Sequence, residues 1–191
     1  MIGMDLISET PFPNMFESIE GREPPNCLFQ GDIIEIVEGK SKIFTGQTGA
    51  IGYLVGSNSC DLVNNNLKTI SLVPIYPFDV WYSKFSEKNA KNIAKELRDE
   101  LEYKRKQTFL ISPLEKFGNK PSIAFVDDIR SIKSDRCINI LLKFRFSSLK
   151  APWREQLGYK LGNIFNRVST YTPEIDALHA WVEKYKREKS Q

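Results

Sequence analysis

Three short β-rich runs between Gln30 and Pro77 constrain this chain more than any other feature in it. Gly31-Asp32 opens the first, Ile33-Ile34-Glu35-Ile36-Val37, whose β-branched side chains suit a pleated, half-buried strand. A polar stretch with Gly39, Gly46 and Gly49 leads to the second, Ile51-Gly52-Tyr53-Leu54-Val55, which gives way to Gly56-Ser57-Asn58-Ser59-Cys60-Asp61. Asn64-Asn65-Asn66 predicts a turn, because asparagine tolerates positive φ and bonds its own backbone. The third run alternates over Thr69-Ile70-Ser71-Leu72-Val73 and is expected to stop at Pro74, which has no N–H for a ladder. Gly31–Val37, Ala50–Ser57 and Lys68–Pro74 are therefore expected as neighbouring strands of one curved antiparallel sheet.

The flanking segments read differently. Thr10-Pro11-Phe12-Pro13 and Glu23-Pro24-Pro25 block regular structure, although Phe12, Met15, Phe16 and Ile19 suit one apolar turn or short helix. From Ser86 to Gln107 the period changes to that of a helix, with Ala90, Ile93, Ala94, Leu97 and Leu101 as its apolar stripe. Thr108–Ile111, Ser122–Val126 and Cys137–Leu142 are expected to complete the β content. Pro152 starts a helix carrying Trp153, Leu157, Leu161, Ile164, Phe165 and Val168, with Gly158 and Gly162 leaving room for a close neighbour. A second helix is expected from Thr172-Pro173, with Ile175, Leu178, Trp181, Val182 and Tyr185 on its apolar side. The expected division is an N-terminal arm (1–29), a barrel with an inserted helix at 86–107 (30–146), and a C-terminal helical extension (147–191). The fold class is α+β: a small, partly open antiparallel β-barrel with an inserted helix and two C-terminal helices.

A hydrophobic content of 41% over 191 residues is enough for a core that needs neither disulfide nor metal. Cys27, Cys60 and Cys137 are odd in number, no Cys-x-x-Cys occurs, and there is one histidine. No metal or other cofactor is therefore expected, and a reducing, cytoplasmic compartment is the natural setting. The first nine residues carry Asp5 and Glu9 without a basic stretch, so no signal peptide is expected, and no run suits a membrane span. Net charge is +3, unevenly spread: −2 over residues 1–142 and +5 over residues 143–191. That asymmetry fits a solvated helical face as well as one turned to a polyanion.

Gly31-Asp32-Ile33-Ile34, Leu54-Val55-Gly56-Ser57-Asn58 and Leu72-Val73-Pro74-Ile75 together resemble the PemK/MazF family of small-barrel proteins. The resemblance implies a barrel of the PemK/MazF type, a toxin role in prokaryotic stress or defence, RNA as substrate, an antitoxin-like protein partner, and a homodimer. Cleavage in that family relies on an arginine just before the second strand and a serine or threonine just after Pro-Ile. Here those positions fall among Thr48, Gly49 and Ala50, and at Tyr76 or Pro77, and no Lys or Arg occurs from Ile43 to Leu67. The expectation is therefore a toxin-like barrel that binds RNA or a partner protein without the family's ribonuclease activity. The alternatives are a divergent, metal-independent endoribonuclease and a pure protein-interaction module.

The candidate residues follow from these readings. Cys60 and Asp61 stand where a strand meets a turn and are the candidate catalytic pair. A nucleophilic cysteine needs a base, and the one histidine is His179; without it Cys60 is a small hydrophobe and Asp61 a cap. A retained nuclease would draw its groups from Asp61, Asp32 and Arg154. The candidate RNA-binding residues are Lys104, Arg105, Lys106, Arg154, Lys160 and Arg167. The first three also suit the C-terminal dipole of the inserted helix. Phe78, Trp81, Tyr82 and Phe85 are expected in the core rather than as a base-stacking platform. Asp127-Asp128 reads as a cap rather than a metal site, and no P-loop lysine follows Gly46-Gln47-Thr48-Gly49. A barrel face lined by Lys or Arg would favour RNA, and an apolar groove a peptide.

Overall fold

The computed structural model describes residues 12–24, 26–36, 49–64, 67–85, 87, 90–102 and 104–166. Among these the fold is α+β, with eight strands in one antiparallel sheet and five helices. The strands are β1 (Phe16–Glu17), β2 (Asp32–Glu35), β3 (Gly52–Val55), β4 (Thr69–Pro77), β5 (Thr108–Leu114), β6 (Lys120–Phe125), β7 (Arg130–Lys133) and β8 (Arg145–Leu149). The helices are α1 (Ser59–Val63), α2 (Phe78–Tyr82), α3 (Ala90–Leu101), α4 (Ser134–Phe144) and α5 (Trp153–Asn166). The sheet order is β1-β8-β2-β3-β4-β6-β5, with β7 also on β4. The expected neighbours β2, β3 and β4 sit side by side, Ile33 opposite Leu54 and Leu54 opposite Val73.

The sheet curls into a half-barrel whose two edges approach each other. Ser112 on β5 donates its hydroxyl to the carbonyl of Pro13, just before β1, at 2.6 Å. Ile33, Leu54, Val73, Ile75, Phe109, Ile111 and Ala124 face inward and share one core with Met15, Leu149 and, from α5, Leu157 and Leu161. The alternate residues face outward. Ile34, Tyr53, Val55, Ile70 and Leu72 pack under α1 and α4 through Leu62 and Leu141. Leu110 and Ile123 pack under α2 and α3 through Trp81, Ile93 and Leu97. That period-2 division is what alternation along a strand buried on both faces requires.

Several expectations are corrected. β4 does not stop at Pro74 but runs through it to Pro77. The bond from Gly56 N–H to Ser71 O turns the odd residues of β4 toward β3, so Pro74 presents its missing donor to the other edge. There Ala124 pairs with Ile75 and Arg130 with Leu72, and residues 126–129 connect β6 to β7. Proline thus interrupts one ladder without ending the strand. Cys137–Leu142, read as a strand, is part of α4: Cys137 and Leu141 are buried one turn apart, a helical spacing. Phe16 belongs to a two-residue strand on β8 rather than a helical turn, and among the described residues the inserted helix is α3. β8 extends the sheet into the stretch read as the start of the helical extension. The expected second C-terminal helix, with His179, lies outside the described residues, as does Arg167.

Candidate functional site at the open mouth of the barrel

The two ends of the half-barrel are finished differently. At one end β2 begins, β3 ends, β5 begins and β8 ends, and α5 lies across them. A Cβ on Gly56 would stand 3.3 Å from Leu161, and one on Gly158 would stand 2.9 Å from Gln30 Oε1, so the helix is seated closely. Gln30 Nε2 in turn donates to Gly56 O at 2.9 Å. Of the two glycines expected at a close approach, Gly158 makes one and Gly162 has open space.

The motif residues are absorbed into this closed end. Gly31 takes φ +85°, and a Cβ there would stand 3.0 Å from Leu149. Asp32 is fully buried: one oxygen accepts from Arg22 at 2.6 Å, the other from Phe29 N at 2.8 Å and Arg145 at 3.2 Å. So satisfied a carboxylate is a structural anchor, not a general base. Ser57 Oγ accepts from Ser71 N at 2.8 Å and Ser59 Oγ from Gln30 N at 3.0 Å, tying β3 to its neighbours. Asn58 caps α1 by accepting from Cys60 N at 2.9 Å. Cys60 and Asp61 are both exposed on this one-turn helix, and among the described residues no hydrogen bond or ion pair joins either side chain to a base. Arg154 is also engaged here, by Glu17 and by Leu149 O.

At the other end β2 ends, β3 begins, β4 ends, and the β5–β6 hairpin turns over. These elements surround an open cavity of about 450 Å³. Its charged groups are Glu35, Asp79, Lys116 and Lys120, and its apolar floor includes Ile51, Phe78 and Phe117. Lys116 Nζ lies 2.6 Å from Glu35 Oε2 and 5.0 Å from the centre of the Phe146 ring. Phe117 meets Phe146 edge to face at 5.4 Å and covers Gly52, where a Cβ would stand 2.8 Å from the Phe117 ring and from Ile34 O. Gly52 is therefore what lets the edge of the Phe117 ring come so close to β3. Ala50 and Pro77 also line it, so both stretches in which the family resemblance places catalytic groups converge on this cavity. Tyr76 does not: it turns outward, its hydroxyl 3.4 Å from Asp128 Oδ2, and burial first, then Asp128, raises its pKa.

The remaining predicted cations divide. Lys104, Arg105 and Lys106 come together with Lys84 around a separate cleft between α3 and β5. Lys160 does not join them at the surface: it is 4% exposed and donates from behind to the carbonyls of Arg105 and Thr108. Burial lowers its pKa to about 8 against a smaller opposing effect of Glu100. Trp81 is 2% exposed, a core residue as expected, and donates to Glu100 Oε1 at 3.0 Å.

Sequence reasoning missed Lys116 and Lys120. The signal was the Gly118-Asn119 pair between them, whose φ values of +74° and +56° make the hairpin turn. Among the described residues no group of three or more His, Cys, Asp or Glu is placed to hold a metal, and no helix is long and apolar enough to cross a membrane. The chain matches no protein-family model and no curated protein.

Proposed function

We propose that this chain is a toxin-like barrel of the PemK/MazF type that holds single-stranded RNA at its open mouth and does not cleave it. The observation that carries this reading is the convergence of both motif-strand ends on one open cavity that offers Lys116 and Lys120 beside Phe78 and Phe117. Lysines serve phosphates and apolar rings serve bases, and a sequence-tolerant site for a single strand needs both. Its volume lies in the range of small-ligand sites, enough for one nucleotide unit. The absence of cleavage follows from the groups at the two family positions. Ala50 carries no cation, Pro77 has no proton to transfer, and Tyr76 points away. Losing even one preorganised charge-stabilising group commonly costs a hundredfold or more in rate.

The test is retention of a mixed single-stranded RNA pool at rising salt, with the RNA recovered intact. Lys116→Glu with Lys120→Glu should weaken retention about tenfold or more while leaving the fold unchanged. Metal-independent cuts at a fixed short motif would replace this reading with a divergent endoribonuclease. No retention at low ionic strength would move it to a protein-interaction module whose partner segment, antitoxin-like, fills the apolar half of the mouth. A cytoplasmic setting and a homodimer belong to the same proposal.

A further inference from the structure

We propose that the cleft between the end of α3 and the start of β5 is a second anion site, built to hold a phosphate group. It encloses about 500 Å³ and is lined by Lys84, Lys104, Arg105 and Lys106, with Trp81, Glu100 and Thr108 among its inner residues.

The cations are held in place rather than merely adjacent. Lys160 pins the basic loop from behind through its bonds to Arg105 O and Thr108 O. Arg105 is steadied by Glu96, and Lys104 by Glu102 with Asp99 at 3.7 Å. A guanidinium has five donors, so pairing with Glu96 leaves Arg105 several for a ligand. Lys84 lies 4.5 Å over the Phe125 ring, and among the described residues neither Lys84 nor Lys106 makes an ion pair. Lys84 and Lys106 are thus the first groups to meet an incoming anion, with Arg105 as the bidentate partner.

The one carboxylate inside does not oppose this. Glu100 is 3% exposed and already accepts from Trp81 at 3.0 Å and from Thr108 at 2.7 and 2.9 Å. It fixes the floor that joins α2 to β5. With Arg105 and Lys104 balanced by Glu96 and Glu102, the positive charge left to the cleft is that of Lys84 and Lys106. A phosphate is the common ligand whose charge and oxygens answer these two cations and the spare donors of Arg105 at once. That phosphate belongs either to an RNA backbone or to a free phosphorylated molecule.

Two probes distinguish these sources: sodium pyrophosphate and a short oligouridylate, each titrated at low salt while the indole N–H resonance of Trp81 is followed by NMR. A shift with the oligouridylate alone assigns the site to RNA, and a shift with pyrophosphate assigns it to free phosphates; either supports the proposal. Lys84→Gln with Lys106→Gln should weaken binding about tenfold or more. Lys116→Glu with Lys120→Glu should leave it intact, which separates this cleft from the barrel mouth. No shift with either probe, or binding undiminished in Lys84→Gln/Lys106→Gln, would overturn the proposal.

Discussion

At one end of the half-barrel α5 closes the core with Leu157 and Leu161, and Asp32, Arg22, Arg145, Glu17 and Arg154 spend their charges on one another. At the other end the strands stop around a cavity, and two lysines stand at its rim, of which, among the described residues, Lys116 alone is ion-paired. Both ends are made by the same strands, so the difference lies in what the connecting segments bring. The closed end receives a whole helix and a buried ion network. Among the described residues, the open end receives the short β5–β6 hairpin and the start of α2. The ion network around Asp32 at the closed end therefore holds the fold, whereas Lys120 at the open end makes no ion pair among the described residues and stands toward solvent.

The contrast between the ends breaks most visibly at Asp32. Replacing it with alanine leaves Arg22 and Arg145, with side chains 11% and 8% exposed, facing each other without their shared carboxylate. Removing one partner of a buried ion pair costs about 3–5 kcal/mol, and chemical denaturation of Asp32→Ala should show a loss of that order. Next is the seat of the closing helix. Leu161→Ala should cost about 3 kcal/mol by emptying a core site against Gly56. A loss within measurement error would mean that α5 does not close the barrel.

Lys160 adds a pH dependence peculiar to the closed end. Its pKa is lowered to about 8 in the fold by burial, against about 10.4 in the unfolded chain. Between those values the unfolded state binds more protons, so stability rises with pH, and below about 8 the dependence vanishes. The gain across the window is roughly 3 kcal/mol. Wild-type stability minus that of Lys160→Met should follow this rise between about pH 8 and 10, which removes the titrating tyrosines and cysteines common to both. A flat difference would show that the ammonium is not desolvated.

The closed end was the more legible in sequence, and the reason is local. Gly31-Asp32 and Ser57-Asn58-Ser59 carry turn and cap chemistry that reads directly as strand ends, and the β-branched runs between them give β2, β3 and β4. What failed was reading faces. Leu157, Lys160 and Leu161 are spaced i, i+3 and i+4, so Lys160 lies on the buried stripe of α5, yet its charge alone put it on the surface. Cys137, Ile138, Leu141 and Leu142 carry the helical spacing of α4 in a run short enough to pass for a strand. β7 and β8 escaped because Arg130-Ser131-Ile132-Lys133 is polar and β8 buries Ser147 and Ser148. The open mouth escaped because its lysines come from a hairpin far along the chain from the motif strands.

Gly52 probes the boundary between the two kinds of end. It lies in β3, yet its missing side chain serves the mouth, where the Phe117 ring rests on it. A Cβ at 2.8 Å from both Phe117 and the Ile34 carbonyl must displace one of them, and the ring is the freer. Gly52→Ala should cost about 1–3 kcal/mol, the usual range for overpacking, and lower RNA retention with it. Retention unchanged in a destabilised variant would remove Phe117 from the proposed site.

The smallest expected change in stability is the most informative about function. Lys120 is exposed at the rim and, among the described residues, makes no ion pair, so Lys120→Ala should alter stability by no more than about 0.5 kcal/mol. Lys116 pairs with Glu35 at 2.6 Å, but both are substantially exposed, and such pairs contribute about 0–1 kcal/mol. The double alanine variant should therefore denature close to the wild type. If the mouth holds RNA through these lysines, the same variant should bind more weakly and show a salt dependence shallower by about one counterion for each phosphate it no longer neutralises. Charge removed from the Asp32 network at the closed end should do the reverse, lowering stability first and binding only as the fold gives way. A double variant that loses stability but not binding would show that the two ends are finished alike after all, with the hairpin lysines serving the fold.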